Sequence, residues 1–408
     1  MMRALGQRVG DTTWDLVMGS AVGLLAGGAS ALFLTLLNRA IELRMRHLWL
    51  LGLLPVFGMA SAWLYGRFGK EAEGGSRLIL DEVVEYQGRV PSRMAPLVLI
   101  GTLLTHLGGG SAGREGTAIQ MGASLARTLG KLPWKVLKLN EARQQRLLLA
   151  GVSGGFGSLF GTPFAGAIFG LEVLPSGRMR LESLAICACA SLVGDGFCRW
   201  LGAQHLHANV AAMSLSLVVA LKLMFFALPV ALVAWLFVES SHGLARWSAA
   251  MFRSPYGRAA LGGLAILALT ALLRTTDYLN LGTIWLPRIF DATAPVPPWA
   301  FALKALFTVV TLGFGFKGGE VTPLFVIGAL LGATLAPPLG LPAPFLAAVG
   351  FVALFAAASH TPIASTILGV ELFGAGFVGP LLVVCLPAYL LMGHRSIYRS
   401  GVKEKEAP

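Results

Sequence analysis

The stretch "LGGGSAGREGTAIQMG", from Leu107 to Gly122, places an arginine and a glutamate among glycines in a chain that is otherwise largely apolar. Of the 408 residues, 55% are hydrophobic and only 13% are charged. A charged side chain inside an apolar membrane segment costs about 2.5–3.5 kcal/mol or more, so such residues usually face a cavity or a partner. The position of Glu115 therefore indicates an ion or proton pathway.

Apolar runs recur along the chain and predict an all-α polytopic membrane protein. Several of them are shorter than the roughly 20 residues that a spanning helix needs, or contain Gly and Pro. With 51 Gly and 21 Pro in the chain, we expect tilted and broken transmembrane helices. The runs are Val22–Leu37, Leu48–Leu64, Leu97–Leu107, Leu147–Val173, Leu215–Phe237, Ala259–Leu273, Ala302–Phe316, Leu324–Leu341, Phe345–Phe373 and Leu381–Met392.

The domain organisation expected from these runs is a single transmembrane domain over residues 1–408, without a cleavable signal peptide or a soluble C-terminal domain. The net charge of +12 is concentrated in short connections such as 39–47, 131–146 and 246–258. This pattern favours orientation by the positive-inside rule over nucleic-acid binding. The four cysteines have neither metal-ligand nor disulfide spacing, and no phosphate-binding loop motif occurs. No metal, cofactor or ATP is therefore expected.

Two segments of the first half recur in the second half without gaps. "TPFAGAIFGLEVL", starting at Thr162, matches "TPIASTILGVELF", starting at Thr361, at an offset of 199 residues. "LGGGSAGREGT", starting at Leu107, matches "LGFGFKGGEVT", starting at Leu312, at an offset of 205. Two matches at nearly one offset indicate an internal duplication.

The duplicated halves, about 14–200 and 209–398, each contain a Gly-rich turn, a glutamate and a helix that starts directly after it. If the halves are inverted, the two helix N-termini converge from opposite leaflets on one point. Helix N-termini present unpaired N–H groups and about half a positive charge, so two of them facing one cavity form an anion site. Each terminus contributes only about 0.3–1 kcal/mol, so side-chain donors or a shared proton must supply the rest.

The glutamates of the two turns, Glu115 and Glu320, also have a structural interpretation. Arg114 could neutralise Glu115 as an ion pair, or both glutamates could lie at the water interface. The neighbouring glycines favour close backbone approach over a packed ion pair; they are Gly113, Gly116, Gly318 and Gly319.

The other repeated motif contains Glu172 and Glu371, which we interpret as capping or interfacial residues near helix ends. The histidines near the two motifs, His106 and His360, are interpreted as hydrogen-bonded structural residues.

The motifs "GREGT" and "GGEVTP", the repeated Thr-Pro helices and the closing "GHRSIY" resemble the CLC family of anion channels and transporters over nearly the whole chain. More narrowly, they are similar to its fluoride-exporting bacterial branch. Ordinary members carry G-K/R-E-G-P at residues 113–117 and G-x-F-x-P at residues 319–323, and an acidic residue followed by Val-Thr separates the fluoride branch. The resemblance implies a CLC-like inverted repeat, a homodimer with one pore per subunit, and a place in the bacterial inner (cytoplasmic) membrane.

The resemblance also implies roles for individual residues. Glu115 matches the gating glutamate that occupies the anion path and carries the proton. Glu320 and Thr322 match the specialised fluoride and proton route of the branch, and Tyr398 matches the tyrosine that faces the central anion. Further anion-binding positions are Ser76, in the loop Gly74–Leu78 that replaces the family's first anion loop, and Gly113, Arg114, Gly116, Gly319 and Val321.

The function predicted from these features is fluoride/proton antiport that exports fluoride through a site gated by Glu115. Fluoride is small and strongly hydrated, so it needs hydrogen-bond donors or a shared proton rather than a large pocket. Proton-exchanging chloride members of the family carry a second glutamate directly after the one that matches Glu172, but this chain has Val173 at that position. The difference argues against a chloride-type inner proton path.

Three alternatives remain open at this point. The first is a chloride/proton exchanger or chloride channel of the same fold, and the second is a general solute carrier. The third is an intramembrane serine hydrolase, because Gly151–Gly154 matches a G-x-S-G pattern and His360 or His394 could act as base.

Overall fold

The computed structural model describes residues 2–131, 139–174, 179–206, 208–293 and 295–398. Over these ranges the protein is helical, with sixteen α-helices and no β-strand. The helices are α1 (Met2–Arg46), α2 (Leu54–Phe68), α3 (Gly75–Val84), α4 (Met94–Leu107), α5 (Glu115–Leu129), α6 (Glu141–Phe160), α7 (Pro163–Glu172), α8 (Leu184–Trp200), α9 (Leu217–Met251), α10 (Pro255–Leu273), α11 (Trp285–Phe290), α12 (Ala300–Gly313), α13 (Val321–Leu339), α14 (Ala343–Ser359), α15 (Pro362–Phe373) and α16 (Val378–Met392).

Seven helical segments of the described chain are long and apolar enough to cross a membrane. Other apolar runs are broken, as the sequence predicted. The run 147–173 divides into α6 and α7 at Thr162, and the run 345–373 divides into α14 and α15 at Thr361. A proline follows each threonine and occupies the first helical position, where its missing N–H costs nothing.

The duplicated turns lie between α4 and α5 and between α12 and α13. Because α5 starts at Glu115 and α13 at Val321, the offset between these helices is 206 residues. The gapless comparison that set Glu115 against Glu320 is therefore wrong by one residue. Glu320 is the N-cap of α13 and corresponds in position to Arg114, the N-cap of α5.

The two turns touch each other through their glycines. Gly113 N–H donates to the Gly319 carbonyl at 2.6 Å, and Gly319 N–H donates to the Gly113 carbonyl at 2.9 Å, which forms an isolated antiparallel bridge. Since the turns run antiparallel, α5 and α13 leave this point in opposite directions with their N-termini together. The inverted repeat predicted from the sequence is confirmed.

Helices α7 and α15 cap each other across the two halves. The Glu371 carboxylate, near the end of α15, accepts the N–H groups of Phe164 (3.0 Å) and Ala165 (2.8 Å) in the first turn of α7. The Glu172 carboxylate, at the end of α7, accepts two equivalent N–H groups in the first turn of α15, at 2.9 and 2.7 Å. The two helices therefore lie side by side and antiparallel, and both glutamates have the capping role that the sequence suggested.

Replacement of either capping glutamate by glutamine is expected to destabilise the fold. A carboxamide offers one oxygen to the two N–H groups that the carboxylate accepts together, and it removes the favourable charge at a helix N-terminus. We expect Glu172→Gln and Glu371→Gln each to lower the free energy of unfolding by about 1–2 kcal/mol. Unfolding of purified protein in mixed detergent micelles measures this loss. Glu239→Gln, at an exposed ion pair with Arg395, is the matched control, and equal losses in all three variants would contradict the capping role.

Candidate functional site

The Glu115 side chain is 1% exposed and reaches from the start of α5 to the start of α13. Its Oε1 accepts the Val321 N–H at 2.6 Å. Its Oε2 accepts the Thr322 N–H and the Thr322 hydroxyl, both at 3.1 Å, and the Arg114 N–H at 2.9 Å. The carboxylate of one half therefore occupies the open N-terminal turn of the equivalent helix in the other half.

These donors form a site for a negative charge. The first N–H groups of a helix have no partner within the helix and carry part of its positive dipole. Here the N–H groups of Val321 and Thr322 both point at one carboxylate, and a threonine hydroxyl adds a third donor. A carboxylate oxygen and a small anion need the same donors, so either can occupy this place.

Glycine at two positions allows the carboxylate to dock. A Cβ built on Gly319 would overlap the Glu115 carboxylate, and a Cβ on Gly113 would lie 2.9 Å from Glu115 Oε1 and 2.8 Å from Pro323 Cδ. Neither glycine has φ in the left-handed region. Close approach of the backbone to the carboxylate is therefore what these positions require.

A cavity of about 140 Å³, the central cavity, lies beside Glu115 and brings together most of the predicted site residues. Its wall includes Ser76, Glu115, Gly116, Gly319, Glu320 and Tyr398. Two of them come from distant segments: Ser76 lies in the first turn of α3, and Tyr398 follows α16 with its ring edge-on to Phe169 at 6.0 Å between centroids. The carboxylates of Glu115 and Glu320 thus share one small space with two hydroxyl side chains.

The comparisons with known proteins agree with this geometry. Residues 57–393 match the family model described as voltage gated chloride channel. The chain belongs to this family. A chloride/fluoride channel protein of Pseudomonas syringae pv. tomato is 42% identical over 395 residues, covering 94% of this chain and 85% of the relative. The voltage-gated ClC-type chloride channel ClcB of Salmonella typhi is 27% identical, covering 79% of each chain.

Solved structures share the fold of this chloride channel family member. The crystal structure of a CLC-type fluoride/proton antiporter matches with a TM-score of 0.90 and 34% identity, covering 95% of this chain and 97% of that chain. A slow cyanobacterial Cl⁻/H⁺ antiporter matches with a TM-score of 0.80 and 22% identity, covering 94% and 96%. The second match shows the fold alone.

The ion pair between Arg114 and Glu115, which the sequence left as the less favoured alternative, is not formed. In the described part of this CLC chain, no ion pair within 4 Å joins the Arg114 side chain to an acid. Its guanidinium lies over the Phe160 ring at 5.7 Å, and Nε has no hydrogen-bond partner. It lines a second cavity of about 40 Å³, the arginine cavity, together with Phe160 and Thr322. Glu115 lines the central cavity, and Thr322, which binds its carboxylate, lines the arginine cavity. The docked carboxylate therefore belongs to one cavity and contacts a residue of the other.

Two residues that the sequence analysis missed support the site. Gln120, on α5, donates from Nε2 to Ser76 Oγ at 3.4 Å and so joins α3 to the central cavity. Lys304, fully buried on α12, donates to Ser111 Oγ at 2.7 Å in the turn that leads to Glu115. The only sequence signal for Lys304 was an isolated lysine inside the apolar run 302–316.

The structure provides no support for the serine hydrolase alternative. Ser153 is fully buried within α6, and no hydrogen bond among the described residues joins it to a histidine. A serine nucleophile needs a base within hydrogen-bond reach, and the geometry around Ser153 supplies none.

Proposed function

We propose that this protein is a proton-coupled anion transporter that exports fluoride from the cytoplasm in exchange for protons. The observation that carries the proposal is the docked Glu115 carboxylate, held by two backbone N–H groups and a hydroxyl at the start of α13. A relative named for chloride and fluoride at 42% identity, and the fold shared with a fluoride/proton antiporter, support it.

The coupling follows from competition between a carboxylate and an anion for the same donors. While Glu115 is ionised and docked, it blocks the donors of Val321 and Thr322. When an oxygen of Glu115 accepts a proton, the side chain loses its charge and one of its acceptor sites, and an incoming anion takes the vacated donors. When the anion leaves, Glu115 releases its proton and docks again. Each cycle therefore moves an anion and a proton.

Glu320 is the group placed to pass the proton in this scheme. It is the N-cap of α13, it lines the central cavity together with Glu115, and its side chain makes no hydrogen bond to a described residue. An intramembrane carboxyl without a fixed partner that faces a cavity is typical of a proton relay. Ser76 and Tyr398 supply hydroxyl donors for the anion in the same cavity.

The preference for fluoride rests on the kind of donors present. Fluoride is the strongest hydrogen-bond acceptor among the halides and loses the most hydration on binding, so it needs several short donors. The N–H and O–H groups of Val321 and Thr322 hold the docked carboxylate, and the hydroxyl residues Ser76 and Tyr398 line the adjoining cavity of only about 140 Å³. A chloride channel or chloride/proton exchanger of the same fold is the second candidate, because relatives named as chloride channels are 27% identical over 347 residues.

The assembly proposed for this transporter is a homodimer in the bacterial inner membrane, with one anion pathway per subunit. Large apolar side chains are exposed along several helices, as a lipid-facing and subunit-facing surface requires. The two halves, about 14–200 and 209–398, form one transmembrane domain in this proposal.

The experiment that tests the function is flux from liposomes that contain the purified protein. Vesicles loaded with fluoride or chloride at equal concentration are diluted into gluconate, and the halide and the pH are recorded together. We expect fluoride efflux to drive proton uptake and to exceed chloride efflux by at least about tenfold, the discrimination that a site built from fixed polar donors commonly provides. Equal halide rates would favour the chloride exchanger, and efflux without proton movement would refute antiport.

Glu320→Gln tests the relay in the same assay. We expect the proton flux to fall by about tenfold, because the amide cannot exchange a proton, while fluoride binding persists in the unchanged donors of α13. Isothermal titration with sodium fluoride measures that binding separately. Glu239→Gln is again the control, and a proton flux in Glu320→Gln equal to that of the control would remove Glu320 from the route.

A further inference from the structure

A cavity of about 420 Å³ lies outside the site described so far. It is formed between the C-terminal end of α1 and the segment 276–284 that precedes α11. We call it the vestibule. Its lining is mostly apolar, but it includes the polar side chains of Arg44, Asn280 and Thr283.

Arg44 contributes a buried positive charge with an unused donor. The residue is 6% exposed and lines the vestibule. Its Nη2 donates to Asn280 Oδ1 at 2.5 Å, but its Nε has no hydrogen-bond partner, and no acid lies within ion-pair distance in the described ranges. The one acid that lines the vestibule, Asp277, pairs with Arg288 at 2.7 Å. A buried cation without a counterion is costly, so this arrangement favours binding of an anion.

The vestibule wall is held in place by a second buried cation. Lys304 Nζ donates to the backbone carbonyls of Tyr278 (3.1 Å) and Asn280 (2.8 Å), and to Ser111 Oγ in the Glu115 turn. All three partners are neutral, so the lysine adds positive potential to this region of the protein. The Asn280 side chain also donates to the His106 carbonyl at 2.6 Å, which fixes the amide that receives Arg44.

The vestibule and the arginine cavity share one lining residue. Thr283 lines both the vestibule and the arginine cavity. The arginine cavity is lined in turn by Arg114, whose Nε is also unpaired, and by Thr322, which binds the Glu115 carboxylate. An arginine with an unpaired Nε therefore lines each of two cavities that share Thr283, and the second cavity includes a residue that binds the docked carboxylate.

We propose that the vestibule is a binding site for a small monovalent anion, with Arg44 as the charged ligand and Thr283 at the passage to the arginine cavity. This inference deepens the proposed function, on which it rests: the anion that leaves the donors of α13 next occupies the vestibule. It assigns Arg44 and Thr283 to the anion route, although no sequence motif indicated either residue.

Charge-selective labelling tests the vestibule independently of transport. Thr283→Cys is introduced into a Cys189→Ala background, since the other three native cysteines are fully buried. The rates of modification by anionic and cationic methanethiosulfonate reagents of similar size are compared in detergent. We expect the anionic reagent to react about tenfold faster than the cationic one, because positive charge in a cleft raises the local concentration of an anionic reagent. Sodium fluoride should slow that reaction relative to sodium gluconate at equal ionic strength.

The Arg44 variants decide the origin of that preference. Arg44→Gln, which can still donate to Asn280, should bring the rate ratio close to one and remove the fluoride protection, whereas Arg44→Lys should keep part of both. Ser214→Cys, an exposed position outside all three cavities, should show no charge preference that depends on Arg44. If the ratio of the two labelling rates were unchanged in Arg44→Gln, the proposal would be overturned. It would also be overturned if anionic lipid vesicles protected Thr283→Cys from labelling and fluoride did not.

Flux measurements separate this proposal from the proposed function. Arg44→Gln should raise the fluoride concentration needed for half-maximal flux by about tenfold and leave the ratio of protons to fluoride unchanged. If the unaltered protein moves fluoride without protons, antiport fails while the labelling result still stands. If coupling is intact but the labelling shows no charge preference, only the vestibule site fails.

Discussion

Glu115→Gln is expected to lower proton-coupled fluoride flux by at least about 100-fold, because it removes both the charge and the exchangeable proton from the centre of the site. The glutamine amide has one acceptor oxygen, whereas the carboxylate accepts from Val321, Thr322 and Arg114. Each hydrogen bond to a charged group contributes about 1.5–3 kcal/mol, so the amide also docks poorly at the start of α13. Fluoride efflux and the accompanying pH change in liposomes measure both losses.

The control for Glu115→Gln is a glutamate whose role is structural. Glu371→Gln carries the same chemical change at the cap of α7, and it should reduce stability while the ratio of protons to fluoride stays unchanged. Gel filtration of each variant shows whether the protein is folded before flux is compared. If Glu115→Gln kept more than about a tenth of the coupled flux, Glu115 could not be the proton carrier.

Gly319→Ala should reduce coupled flux nearly as much as Glu115→Gln, although it adds one methyl group and changes no charge. The new Cβ would overlap the docked Glu115 carboxylate. The backbone of Gly319 does not have positive φ, so alanine is compatible with its conformation, although the new Cβ would also lie 2.8 Å from the Gly116 backbone nitrogen, which has to shift. The expected result is a folded protein in which the carboxylate cannot occupy the donors of α13. Fluoride flux and proton flux in liposomes should therefore fall together, by up to about 100-fold.

Gly196→Ala is the control for this steric prediction. A Cβ at Gly196, on α8 and outside the central cavity, would meet no atom within 4 Å. The variant should keep most of the flux. If Gly319→Ala and Gly196→Ala behaved alike, close approach of the Gly319 backbone to Glu115 would not be what the site requires.

The fold was predictable from the sequence where local pattern and repetition agree. The Thr-Pro motifs gave the breaks before α7 and α15, and the duplicated turns gave the meeting of two helix N-termini. The register between the halves was less certain, because glycine-rich turns match at more than one offset. Only the helix starts show that Arg114, and not Glu115, is the positional equivalent of Glu320.

The sequence singled out residues that the structure places around one cavity, but it did not indicate their contacts. Apolar surroundings made Glu115 and Glu320 conspicuous, but no local pattern shows which donors a buried carboxylate will find in the other half of the chain. The side chain of Arg114 turned away from its neighbour because a flexible guanidinium can pack on a distant ring, here Phe160. Lys304 lies in an apolar helix and Arg44 lies among the charged residues at the end of α1, and neither belongs to a motif, so their significance depends on the cavities and carbonyls that the fold places around them.

The exchange of caps between α7 and α15 has a consequence for biosynthesis. The Phe164 N–H emerges from the ribosome 207 residues before its acceptor in Glu371. At roughly 5–20 residues per second, translation leaves the N–H groups at the start of α7 without their Glu371 acceptor for about 10–40 s. During this interval the nascent first half has to be shielded by the insertion machinery or by lipid headgroups, so a ribosome stalled midway would deliver a half-protein that is open to quality-control proteases.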